Sequence, residues 1–241
     1  MRTVRLLAAI LLGTVATALL GLTLEIRWLL PLLNAAPAYA AMIATLRQGR
    51  RAEAIGFMIW WALCLALTQV TLSMVWNGAA EATVINGATY RDEMFSWLAS
   101  GQGRESSPSQ FIPQHLQHAG LFCLLSLVSG SAVSLVMGAV LMNYMSFYVG
   151  DLILQCAGTP AHATAVLLAW NPWSIIRVLS FIILGVVLAE PLLSRLRGNW
   201  PGPEGRWRWI GVAVAGLALD ILLKTLLAPL WPDMFSACSV G

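Results

Sequence analysis

The feature that most limits the fold of this chain is a predominantly apolar stretch over residues 119–156. As one straight helix, at about 1.5 Å per residue, it would be nearly twice as long as the roughly 30 Å hydrocarbon core of a bilayer. Ser129, Gly130 and Ser131 interrupt it near the middle, and glycine permits a tight turn. The stretch therefore predicts two membrane-spanning helices joined at Ser-Gly-Ser, or a re-entrant pair that turns before reaching the far side.

The rest of the chain has the same apolar character. Of its 241 residues, 59% are hydrophobic and 10% are charged, whereas about a quarter of the residues in soluble domains are charged. We expect an all-α, polytopic transmembrane bundle in which residues 1–241 form a single integral membrane domain. The net charge of +3 comes from arginines in short loops, so it gives no indication of nucleic-acid binding.

About seven segments are predicted to span the bilayer, with six as the alternative. The first, residues 6–24, is interpreted as an uncleaved helix rather than a signal peptide. The second, residues 28–46, contains two prolines and an asparagine, and in the six-span alternative it lies in the interface. The others are residues 54–76, two spans within 111–156, residues 173–193 and residues 209–231.

Arginine placement predicts the orientation of these spans. One side carries Arg2, Arg5, Arg47, Arg50, Arg51, Arg195, Arg197, Arg206 and Arg208. The opposite side carries only Arg27, Arg91 and Arg104. The positive-inside rule then predicts a multi-pass protein of the inner (plasma) membrane, with a cytoplasmic N-terminus and an extracytoplasmic C-terminus.

The only long polar region, residues 77–110, is predicted to be an extracytoplasmic loop. Within it, TYRDEMFSWLASG (89–101) predicts a short amphipathic helix ended by Gly101. This helix is expected either to form a lid over the bundle or to lie on the membrane surface as an anchor. The lid residues would be Tyr90, Arg91, Glu93 and Trp97. The following GQGRESSPSQ is expected to be a flexible link.

Four charged residues fall within or near the predicted spans. Asp220 and Lys224 are four residues apart and share a helix face. Arg177 and Asp151 lie toward the outer half, and all four are expected to form one cluster facing the bundle interior. Such a cluster is either a structural network or part of a proton or anion pathway. A polar helix face adjoins it, formed by Asn143, Tyr144 and Tyr148.

Three histidines are predicted to lie on the outer side. His115 and His118 are one helical turn apart, and His162 lies in the next outer loop. Three imidazoles can bind a metal ion, so a metal site is one interpretation, and polar helix-end residues are the other. Cys156 and Cys238 are also predicted to lie outside, where a disulfide can form, although their spacing does not show that they meet.

The sequence contains no phosphate-binding loop, no nucleophile elbow and no zinc-protease motif. We therefore expect a non-enzymatic membrane subunit of a transport or assembly complex, in contact with the bilayer and with a protein partner or further copies of itself. The alternative is an intramembrane or metal-dependent enzyme that uses the histidines and the charged cluster. A stand-alone secondary transporter is the third hypothesis, disfavoured because no internal repeat is visible.

Overall fold

The computed structural model of the chain describes residues 2–238, so the predicted extracytoplasmic C-terminus itself lies outside the described residues. In chain order, the helices are α1 (Arg2–Leu24), α2 (Leu29–Leu46), α3 (Arg51–Val75), α4 (Asn77–Thr83), α5 (Gly87–Ser100), α6 (Pro108–Ser129), α7 (Ala132–Gln155), α8 (His162–Leu168), α9 (Pro172–Leu193), α10 (Arg206–Leu227) and α11 (Trp231–Met234). Two 3-10 turns cover Arg104–Ser106 and Ala228–Leu230. Residues 2–238 contain no strand, so the predicted all-α class is confirmed.

Six segments of the described chain are long and apolar enough to cross a membrane. They are Thr3–Leu24, Leu29–Leu46, Arg51–Val75, Ala132–Gln155, His162–Leu193 and Arg206–Met234. The seventh long helix, α6, does not qualify, because its first half contains two prolines, three glutamines and two histidines. The predicted helical bundle is thus confirmed with six candidate spans among the described residues, and the predicted seven spans are not confirmed. The less regular segment 28–46, which the six-span alternative removed, is one of them.

The Ser-Gly-Ser sequence forms the turn between α6 and α7. Gly130 and Ser131 both have left-handed backbone angles, with φ of 58° and 69°. The Ser131 hydroxyl donates a hydrogen bond to the Gly185 carbonyl on α9 at 2.5 Å. A side chain at Gly130 would lie 3.0 Å from Leu193, in the last turn of α9. The break predicted from the sequence is therefore present, and the turn is buried against α9 at the end of that helix.

Small residues allow the long helices to approach closely. A Cβ added to Gly150 on α7 would lie 3.1 Å from Ser73 Cβ and 3.2 Å from the Val70 carbonyl oxygen, both on α3. On α1, Gly13 faces Pro37 in the same way, and Gly21 faces Leu30. Close helix approach of this kind is the usual source of packing energy within a bilayer, where no hydrophobic effect drives the helices together.

The two ends of the bundle differ in character. One end of the bundle carries most of the arginines, and we call it the arginine end. There α2 and α9 end, and α3 and α10 begin. The backbone N–H of Asn199 donates to the Arg47 carbonyl oxygen at 3.0 Å. At the cap end lie α4, α5 and the 3-10 turn Arg104–Ser106, which we call the cap. A disulfide between Cys156 and Cys238 joins the end of α7 to the segment after α11. The two cysteines whose pairing the sequence left open do meet.

Candidate functional site

The centre of the candidate site is an ion pair between α9 and α10. Arg177 donates from Nε and Nη2 to the two carboxylate oxygens of Asp220, each at 2.9 Å. Asp220 is buried, with a side chain only 2% exposed. His115 Nδ1 lies 3.5 Å from the same carboxylate but has no hydrogen-bond partner among the described residues. The geometry is the bidentate arrangement in which arginine binds a carboxylate most strongly.

Lys224 has a different partner from the one that its spacing suggested. Its Nζ lies 2.8 Å from Glu105 Oε2 and 4.6 Å from the centre of the Phe111 ring. Glu105 comes from the 3-10 turn of the cap, within the segment predicted to be a flexible link. In the structure Glu105 lies in a 3-10 turn, and its ion pair with the buried Lys224 connects that turn to α10. Asp220 and Lys224 share a helix face, but each is neutralised by another segment.

Asp151, on α7, lies apart from Asp220 and contacts the cap instead. Its carboxylate accepts hydrogen bonds from Asn77 and from Arg91 Nη1, the latter at 3.1 Å. Arg91 also contacts Glu81 at 3.2 Å and Asp92 at 2.9 Å. The four residues predicted to form one cluster therefore lie in three separate ion pairs, because the cap supplies Lys224 and Asp151 with partners of their own.

Arg91 remains charged in this network. Burial alone lowers the pKa of its guanidinium, but hydrogen bonds to Asp92, Asp151 and Glu81 outweigh burial and raise the pKa above the ordinary arginine value. A permanent positive charge thus faces Asp151 across the boundary between the cap and the bundle.

Helix α5 packs on the polar face of α7. The Tyr90 ring centre lies 4.6 Å from that of Tyr144 and 5.9 Å from that of Tyr148. Trp97 is buried, with 1% of its surface exposed, whereas Glu93 is exposed and lies 4.0 Å from Arg104. Helix α5 thus packs against the cap end of α7, and Gly101 follows its last residue.

Tyr90 stays protonated at neutral pH. Desolvation by the surrounding protein raises the pKa of its hydroxyl well above the ordinary value, and the carboxylate of Glu105 raises it further.

The remaining member of the polar face, Asn143, accepts a hydrogen bond from Asn34 Nδ2 at 3.1 Å and ties α7 to α2.

The three histidines do not form one site. His115 and His118 lie on α6, while His162 is exposed at the start of α8. Within residues 2–238, no group of three or more His, Cys, Asp or Glu side chains is placed to hold a metal ion. The three-nitrogen site that the sequence left open is therefore not assembled.

Sequence reasoning missed a further charged network, at the arginine end. Glu190 is fully buried, and Arg51 donates to its two oxygens at 2.5 and 2.7 Å. Arg206 adds a contact at 3.1 Å. Arg51 also donates to the carbonyl oxygens of Gly202 and Glu204 at 2.8 and 3.0 Å. The available signal was a carboxylate near the end of an apolar span, where an unpaired charge is costly.

A cavity lies inside the bundle, beside the Arg177–Asp220 pair. Its volume is about 80 Å³, it is partly open to the outside, and its walls come from α2, α3, α6, α7 and α9. Most of the lining is apolar. The polar groups on its wall include Arg177, His118 and Tyr144.

Comparison with protein-family models, curated proteins and solved structures finds no match.

Proposed function

We propose that this chain is a non-enzymatic membrane component of a transport or assembly complex in the inner membrane. The observation that carries the proposal is the pairing of its buried charges within the chain. Asp220, Lys224 and Asp151 each have an ion-pair partner on another segment. A proton or ion pathway needs groups that change their charge or partner, whereas paired charges of this kind hold helices and cap in place.

The charge distribution supports an orientation with the arginine end in the cytoplasm. Most arginines flank the spans at that end, as the positive-inside rule requires. The disulfide lies at the opposite end, and disulfides persist in oxidising compartments such as the periplasm or the cell exterior. Two independent features therefore favour the same orientation.

Helix α10 offers a surface for a partner. Only Ala213, Asp220 and Lys224 are buried among its residues. Gly211, Ala215 and Ala218 lie at helical spacing on its exposed side. Small residues at this spacing allow a second helix to approach closely within a bilayer.

The test is a native mass spectrum of the protein extracted gently from its own membrane. A stoichiometric partner chain, or a second copy of this chain, is the expected result. The double variant Gly211→Leu/Ala215→Leu should lose it, whereas the control Val214→Leu, exposed on the same helix, should keep it. A lone wild-type chain would refute the proposal.

An enzyme is the second candidate function, because His118 and Arg177 line the same cavity. It predicts that His118→Ala removes an activity while expression and thermal stability are retained. Unchanged function in that variant would exclude this role for the histidine.

A further inference from the structure

We propose that the outward face of α6 is a dimer interface, where it pairs in parallel with the same face of a second copy of this chain. This inference goes beyond the proposed function, which gives α10 a partner, and it does not depend on that partner being found.

The exposed side of α6 has the spacing of a coiled-coil seam. Its exposed side chains recur at alternating intervals of four and three residues, and they are Gln110, Gln114, Gln117, Leu121, Leu124 and Val128. The last three are 45%, 56% and 64% exposed. A repeat of this kind, averaging 3.5 residues, keeps one stripe of a helix facing a partner helix along its whole length. We call these residues the α6 seam.

Helix α6 lies along the side of the bundle from the cap end to the arginine end. Near its start, the Phe111 ring centre lies 4.6 Å from Lys224 Nζ on α10. Near its middle, Phe122 stacks on Phe181 of α9, with ring centres 4.8 Å apart. The turn after its last residue lies against Leu193. The inner side of α6 is therefore packed on the bundle, and the seam faces the surroundings.

Two of the seam glutamines lie at the depth of the hydrocarbon core. His115 on α6 lies 3.5 Å from Asp220, which is about 21 Å along α10 from Arg206 at the arginine end. Gln114 precedes His115, and Gln117 follows it by two residues. Both therefore lie within about 3 Å of the depth of Asp220, inside a core that is roughly 30 Å thick.

The glutamines of the seam have hydrogen-bonding groups without partners. Exposed Thr71 and Thr225 each donate to a carbonyl oxygen of their own helix at 2.8 Å. The side chains of the three seam glutamines, in contrast, make no hydrogen bond among residues 2–238. An amide without a partner is unfavourable against lipid, which offers no hydrogen bond in return. The seam therefore needs a polar partner at the same depth.

A second copy of the chain meets this requirement by symmetry. A glutamine amide both donates and accepts, so it can pair with the same glutamine of another copy. Two copies inserted in the same orientation are related by a two-fold axis along the membrane normal, and each seam residue then meets its counterpart at its own depth. Gly120, beside the seam, is exposed, and a Cβ added there meets no atom within 4 Å. The two backbones can therefore approach closely.

The experiment is cysteine cross-linking of the full chain in its native membrane. The background variant Cys123→Ala removes the partly exposed free thiol, while the other free cysteine, Cys64, is buried. One cysteine is then introduced into the seam by Leu121→Cys or Leu124→Cys. The control is Leu116→Cys, because Leu116 is 62% exposed on the same helix but lies about 100° around it from Gln117.

Mild oxidation should produce disulfide-linked dimers from both seam cysteines, with a yield at least about tenfold above that of the control. No dimer from either seam position would overturn the interface. Equal yields from all three positions would also overturn it, because they would indicate random collision rather than a defined seam. These variants keep every glutamine of the seam.

A second set of variants tests the glutamines. Gln114→Leu/Gln117→Leu should lower the yield from Leu124→Cys by about tenfold, because it removes the hydrogen bonds between copies. Leucine suits a lipid-facing surface, so the single chain should keep its thermal midpoint. The control Gln155→Leu changes an exposed glutamine at the end of α7 and should leave the yield unchanged. An unchanged yield in the double variant would overturn the role of the glutamines.

Two further results separate this interface from its alternatives. The α10 variant Gly211→Leu/Ala215→Leu should keep the α6 cross-link. Loss of the cross-link would assign the dimer to α10, which overturns this inference and leaves the proposed function standing. A crevice filled with water would also satisfy the glutamines, and Gln117→Cys would then react with a membrane-impermeant maleimide as fast as a surface cysteine. We expect protection, and fast labelling would overturn the dimer interface.

Discussion

Replacing Asp220 by leucine should destabilise the bundle strongly, while replacing Arg177 and Asp220 together should restore most of the lost stability. Asp220→Leu removes both acceptors of the Arg177 guanidinium and leaves a charge between α9 and α10. Breaking a buried ion pair costs about 3–5 kcal/mol. The Arg177 side chain is 21% exposed, so partial access to water places the expected loss near the lower end, about 3 kcal/mol.

The double variant Arg177→Leu/Asp220→Leu contains no charge to desolvate, and an apolar pair of similar volume is often neutral or stabilising. We therefore expect a coupling energy of about 3 kcal/mol in the double-mutant cycle. The free energy of unfolding would be measured in mixed micelles by tryptophan fluorescence. The exposed pair Arg104–Glu93, 4.0 Å apart, is the control and should show no measurable coupling.

Two results would contradict this reasoning. One is a double variant as unstable as the sum of the single variants, because the two residues would then act independently. The other is a single variant with nearly wild-type stability, because the pair would then contribute little. If the double variant folds normally and still binds its partner, the pair is structural, as the proposed function requires.

Three further predictions concern stability. Arg51→Ala should lower the free energy of unfolding by about 3 kcal/mol, because it removes two hydrogen bonds to the buried Glu190. The control Arg50→Ala breaks an exposed ion pair and should have a much smaller effect in the same unfolding measurement. Gly150→Leu should reduce the thermal midpoint in detergent by separating α3 from α7, at a cost of about 1–3 kcal/mol, and an unchanged midpoint would show that the helices can move apart freely. Reduction of the disulfide, whose cysteines are 82 residues apart in sequence, should lower the free energy of unfolding by about 2–4 kcal/mol, measured with and without reductant.

The membrane-spanning character of the chain was predictable, because segment length and hydropathy depend only on local sequence. The amphipathic helix α5 was predictable for a related reason, since its apolar residues recur at helical spacing and Gly101 ends it. Helix α6 shows the limit of this approach. Its prolines, glutamines and histidines lower its hydropathy, but it packs between α7 and α9 as a long helix nonetheless.

The partners of the charged residues were not predictable in the same way. The spacing of Asp220 and Lys224 places them on one face, but the rotation of α10 and the fold of the cap determine which residues they meet. Lys224 pairs with Glu105, and Asp151 pairs with Arg91, in both cases through the cap. These contacts depend on tertiary structure, which no local pattern records.

The network at the arginine end has a consequence for how the protein is made. Arg51 and Glu190 are 139 residues apart in the chain. At a synthesis rate of about 5–20 residues per second, α3 exists for roughly 7–28 s before the glutamate that neutralises its arginine has been translated. Arg51 is the first residue of α3, so during that interval it can remain at the membrane surface and keep its water. Because Arg51 lies at the start of the helix rather than in its middle, the nascent chain does not have to place an unpaired charge inside the bilayer during the interval between the synthesis of Arg51 and that of Glu190.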